Sequence, residues 1–181
     1  MTLLIIGLAL WILAHWFKRL APDLRASLGD PGKGIVAVLL LAGLVLMIIG
    51  YRGAPIISVW TPPSFMVHLN NLLMVVAVAV FAMSHTKGRL RGRMRHPMLT
   101  SVKLWSVAHL LVNGDLASIV LFGGMLAWAV GSVIMINRAE SWERPAPGDK
   151  GRDVIFIVIT VVTFAVMVGI HMALGVNPFP G

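Results

Sequence analysis

The sequence predicts an all-α fold: an integral membrane bundle of six transmembrane helices, with the N- and C-termini both outside. Three observations carry this. Of 181 residues, 58% are hydrophobic and only 12% charged, with a mean hydropathy of +0.89, whereas soluble domains run nearer ~45–50% apolar and ~25% charged. Six apolar stretches stand apart along the chain. The basic residues gather in alternate loops between them. So much apolar surface excludes a cytosolic enzyme, a nucleic-acid reader and a secreted disulfide scaffold. The absence of cysteine removes disulfides, thiolate metal ligands, iron–sulfur clusters and cysteine nucleophiles together.

A bilayer core of ~30 Å takes ~20 helical residues per crossing. The expected spans are Met1–Phe17, Gly34–Gly50, Phe65–Met83, Met98–Val112, Leu116–Ile136 and Val154–Leu174. The fourth is short and carries Lys103, so charge decides whether it crosses. With six crossings, 14 of the 15 Lys and Arg residues fall on one side and only Arg52 on the other. With five, the group from Arg138 to Arg152 changes sides and the bias weakens. The positive-inside rule therefore favours six. Lys103 lies early in its helix and can snorkel inward.

The first span lacks a basic leader and a clear cleavage site, and is expected to be a retained anchor. Pro31-Gly32 and Pro62-Pro63 mark loops, and Asn113-Gly114-Asp115 predicts a tight turn between the fourth and fifth helices. Glu143–Asp149 is the most linker-like stretch and is expected to be mobile. Residues 1–181 form a single domain without internal repeats. Gly123, Ala127 and Gly131 share one helix face, which suits close packing inside the bundle or a homodimer seam. The expected environment is a lipid bilayer, with no nucleic-acid partner.

Histidine in a lipid-spanning helix is costly and marks a functional lead. Counting ~1.5 Å of rise per residue from the span ends, His85 and His96 lie at the inner surface. His68 and His171 lie roughly 25 Å from it, near the outer boundary. Two are deep: His15 at roughly 9 Å and His109 at roughly 18 Å. Each follows a tryptophan by one turn, as Trp11/His15 and Trp105/His109, and so shares a helix face with it. Two imidazoles on separate helices suit axial ligation of a haem buried in apolar side chains. The alternative for each is a hydrogen bond to a neighbouring helix. A zinc site lacks a third deep ligand.

His68 and His171, with Asn70 and Asn71 nearby, form an outer pair suited to a proton or quinol site, to service as alternative ligands, or to marking the interface. The run KGRLRGRMR, Lys87–Arg95, anchors the inner surface against anionic lipid. Alternatively, one or two of its arginines together with Lys103 pair with cofactor carboxylates or an anionic substrate.

The stretch RHPMLTSVKLWSVAHLLVNGDLASIVLFG, Arg95–Gly123, resembles the signature region of the NnrU family. The opening GLALWILAHWFKRLAP and the spacing of six hydrophobic stretches agree with it. The resemblance implies a multi-pass protein of the bacterial inner (cytoplasmic) membrane, with periplasmic termini, linked to nitrite and nitric oxide metabolism in denitrification. The same domain is similar to the 15-cis-ζ-carotene isomerases, haem b membrane enzymes that isomerise a polyene. Their RHP run precedes a Trp-Cys-x-Ala-His sequence, here Trp105-Ser106-Val107-Ala108-His109. The likeness thus implies haem b held by His15 and His109, flanked by Trp11 and Trp105, with Arg95, His96 and Lys103 at the inner rim. Ser106 replaces the isomerase cysteine, and a hydroxyl is a poor soft ligand, so cysteine-based ligand exchange is not expected. RHP is also similar to that of isoprenylcysteine methyltransferases, whose glutamate- and tyrosine-rich C-terminal segment has no counterpart here.

The leading expectation is a haem b protein of redox or nitrogen-oxide metabolism. The alternatives are a haem-dependent cis–trans polyene isomerase, and a non-catalytic assembly or sensory subunit presenting Arg89, Arg91 and Arg93.

Overall fold

The computed structural model describes residues 1–90 and 92–179. Arg91, invoked above for an assembly role, lies outside the described residues. Among the described residues seven helices follow one another: α1 (Thr2–Leu20), α2 (Pro22–Ser27), α3 (Pro31–Arg52), α4 (Met66–His85), α5 (Pro97–Val112), α6 (Leu116–Ala139) and α7 (Arg152–Ala173). Among the described residues there is no strand, only an isolated bridge between Ser58 and Asp115. The all-α expectation holds. The additional short α2 starts on Pro22, whose fixed φ and missing N–H suit a first helical turn.

Five helices, α1, α3, α4, α6 and α7, are long and apolar enough to cross a membrane. α5 is apolar but has only 16 residues, roughly 24 Å of rise against a core of ~30 Å. Its proline start and Asn113 end leave it about one turn shorter than α4 and about two shorter than α6.

The helices pack in the spatial order α3, α1, α6, α5, α4, α7. α1 and α3 lie unusually close because glycines remove the side chains between them. A Cβ on Gly7 would stand 2.6 Å from the Met47 nitrogen and 2.7 Å from the Gly43 carbonyl oxygen. One on Gly50 would strike the Leu4 backbone. α1 then runs parallel to α6, where Leu8 covers Gly124, Trp16 covers Gly131, and the Trp16 indole N–H donates to Ser132 Oγ at 2.9 Å. The small-residue face of α6 is thus used inside the bundle at Gly124 and Gly131, one register away from part of the expected stripe. Gly123 has open space beside it and Ala127 is exposed. α7 is the loosest helix: it packs on α4 and buries no residue.

Both ends of the bundle are tied by loops. At the end holding the α5–α6 turn, Gly114 carbonyl accepts from the amides of Val59 (2.8 Å) and Trp60 (3.1 Å), and Leu116 N–H donates to Ile57 carbonyl. A Cβ on Gly114 would collide with the Trp60 carbonyl, so this turn glycine serves the close approach of the α3–α4 loop. Asp115 caps α6 by accepting from the Ser118 amide at 2.9 Å.

At the opposite end the segment Glu143–Asp149 is not an independent linker. Its Gly148 N–H donates to Gly88 carbonyl at 3.1 Å, Pro145 lies against Gly92, and Arg89 pairs with Asp153. Glycine on both partners lets two irregular backbones meet without side chains between them.

Candidate functional site

α6 supplies the wall against which both deep histidines rest. His15 lies between two indoles, with ring centroids 4.4 Å from Trp11 and 4.7 Å from Trp128. Trp11 is one turn earlier on α1, and Trp128 comes from the buried face of α6. His109 meets Trp105 at 5.2 Å and Phe122 of α6 at 4.6 Å. Each expected histidine–tryptophan pair is therefore formed, and each gains an α6 aromatic as a third member.

The two histidines do not share one contact point. Their α6 partners are six residues apart, which is roughly 9 Å along the helix and roughly 120° around it. That rise equals the difference between the depths counted from the sequence.

Both imidazoles have the same local geometry. His15 Nδ1 lies 2.9 Å from Trp11 carbonyl, and His109 Nδ1 lies 2.9 Å from Trp105 carbonyl. With the Nδ1–H donated to the backbone, the tautomer is fixed and Nε2 carries the lone pair. Neither Nε2 has a hydrogen-bond partner among the described residues. The same cluster holds buried indole N–H groups of Trp11 and Trp128 with no acceptor, and the Ser106 hydroxyl is wholly buried and also unpartnered. A buried polar group left so costs about 1–3 kcal/mol.

His171 repeats the pattern, with Nδ1 2.7 Å from Met167 carbonyl. His68 is exposed and is not part of this group.

The inner-rim residues are engaged with α6. Arg95 donates to Glu140 carbonyl at 2.6 Å, and His96 Nε2 lies 2.8 Å from Asn137 Oδ1. Both fasten the start of α5 to the end of α6. Lys103 is half-buried and makes no hydrogen bond or ion pair with the described residues. Arg19 joins Glu140 at 2.9 Å, and this hydrogen bond and charge hold the Glu140 carboxyl below its ordinary range.

Trp128 and Phe122 are the site residues that sequence reasoning missed. Each is an aromatic on the deep part of a span, which was visible, but only the packing of α6 against α1 and α5 assigns them to the histidines. Among the described residues no group of three or more His, Asp or Glu side chains could hold a metal ion.

No curated protein and no solved structure matches the chain. The family model described as NnrU protein matches residues 3–178. With nearly its whole length covered, and with a helical bundle whose long apolar helices suit a lipid bilayer, this chain belongs to the NnrU family.

Proposed function

We propose that the chain is a six-span protein of the bacterial inner membrane, with both ends outside, that holds haem b through His15 and His109 and serves redox steps of nitrogen-oxide metabolism. The observation that carries the ligation is the paired imidazole geometry. Each Nδ1 is tied to a backbone carbonyl one turn back, and each Nε2 lone pair is left without a protein partner. This is the second-shell arrangement that metal-ligating histidines use. The donor chemistry of each imidazole suits an iron ligand, and because their contact points on α6 lie about 9 Å apart the two rings would have to turn toward one another to hold a single iron. The sixth crossing is supported by α5, whose ends are fastened to the two ends of α6, at Asn137 and at the Asn113–Asp115 turn.

In this assignment bound haem supplies one-electron chemistry at its iron, tuned by its axial ligands and burial. The residues of the chain do the rest. The Trp11 and Trp105 carbonyls orient the rings. Trp128 and Phe122 cover them against water. Arg95 and His96 hold α5 in register with α6, and so keep His109 at its depth.

The test is optical. The purified full chain, given ample haem, is expected to show a Soret band whose position shifts on reduction. His15→Ala and His109→Ala are each expected to abolish or shift it. A folded wild-type sample with no Soret band overturns the assignment.

A further inference from the structure

A half-enclosed cavity of about 260 Å³ lies between α4, α5 and α7, away from His15. Its walls are almost wholly apolar, with Ala77 and Phe81 from α4, Trp105 from α5 and Met167 from α7. Two hydroxyls, Ser101 and Thr163, also line it. Ser101 is only 8% exposed, and among the described residues neither hydroxyl has a hydrogen-bond partner. That is unusual within this chain. Ser84 and Thr160, also on helices, turn back to their own backbone at Phe81 and Phe156 carbonyls, which is the ordinary way such a residue is satisfied inside a helix. The cavity hydroxyls are instead left as donors in an apolar chamber.

We propose that this cavity binds a planar ring compound drawn from the bilayer and bearing hydrogen-bond-accepting oxygens, the headgroup class of a quinone. Three features select it. An apolar cavity of about 150 Å³ takes benzene, so about 260 Å³ accommodates two fused rings. Phe81 and Trp105 offer flat aromatic walls. Ser101 of α5 and Thr163 of α7 both line the chamber, two donors for a ring with two carbonyls. A saturated acyl chain would leave both donors unanswered, and water would face walls with almost nothing polar to hold it. Entry is from the lipid side, because α7 packs on α4 and not closely on α5. The Trp105 indole is shared between this chamber and His109, so the bound ring would lie one aromatic side chain from that imidazole.

Binding here does not require iron, so its test is separate from the optical one. The full chain, in nanodiscs and without added haem, is titrated with 1,4-naphthoquinone, and with naphthalene as the probe of equal shape without oxygens. Tryptophan quenching by naphthoquinone is expected to saturate, and naphthalene to bind at least tenfold more weakly. Ser101→Ala and Thr163→Val should each weaken naphthoquinone roughly threefold to tenfold, the loss of one hydrogen bond, and leave naphthalene unchanged. Ala77→Phe, which fills the chamber, should remove the saturable phase. Should that variant fail to fold, the two hydroxyl variants decide. Quenching that stays linear in probe concentration, equal affinity for both probes, or wild-type affinity in both hydroxyl variants overturns the proposal.

Discussion

Gly7→Ala tests the contact that seats the first histidine. The added Cβ would lie 2.6 Å from Met47 nitrogen and 2.7 Å from Gly43 carbonyl oxygen, where carbon contacts normally sit near 3.5–4.0 Å. Both obstacles are backbone and cannot rotate away, so α1 and α3 must part by roughly 1 Å. Overpacking of this kind costs about 1–3 kcal/mol, and immobile neighbours place it near the upper end. Alanine recovers about 1 kcal/mol over glycine through helix propensity. The net expectation is a loss of about 2 kcal/mol, or roughly 30-fold in the folded-to-unfolded ratio. The matched control is Gly169→Ala on α7, where nothing lies within 4 Å of the added atom and only the propensity gain remains. Unfolding in mixed detergent, followed by far-UV circular dichroism, measures both. Because α1 also carries Trp11 and His15, tryptophan fluorescence of the folded Gly7→Ala protein should differ from wild type. Equal stability of Gly7→Ala and Gly169→Ala would refute the close-approach reasoning.

Three further outcomes follow from particular contacts. Ser132→Ala strands the Trp16 indole N–H beside α6 and should lower stability by about 1–3 kcal/mol in the same unfolding assay. Asp115→Ala removes the α6 cap and should cost about 0.5–2 kcal/mol at neutral pH. Burial raises the Asp115 carboxyl, but the Ser118 hydroxyl and amide outweigh it and hold the pKa below the ordinary aspartate value. A lowered folded pKa means the contribution is present above ~pH 4 and is lost as pH falls through the folded value, so acid titration of stability should lose that limb in the variant. Gly148→Ala would drive a Cβ into the Lys87 carbonyl, detaching the Glu143–Asp149 segment. Limited trypsin digestion should then cut faster at Lys150 than in wild type.

Much of the site was legible along the chain because helical periodicity is local. An i, i+4 spacing puts Trp11 beside His15 and Trp105 beside His109 whatever surrounds them, and the structure forms both pairs. Counting rise per residue likewise separated the two histidines by the interval at which they rest on α6. Other expectations depended on which helix faces which. The small-residue face of α6 meets Leu8 at Gly124 and Trp16 at Gly131, while the glycines that bring two helix backbones together, Gly7, Gly43 and Gly50, lie between α1 and α3. A proline- and glycine-rich run read as a free linker, but its glycine and that of the basic loop allow two backbones to bond, a relation between residues about 60 apart.

By itself, the sequence determined that the chain is helical and suited to lipid, where its apolar stretches begin and end, and which histidines share a helix face with a tryptophan. These follow from composition and from the fixed rise and turn of an α-helix, which need no partner. Only the tertiary structure decided that α6 packs against both histidines with Trp128 and Phe122 beside them, and that Ser101 and Thr163 line one apolar chamber. Those are contacts between helices far apart in the chain, set by how glycines and aromatics interlock across their faces, and no local period encodes them.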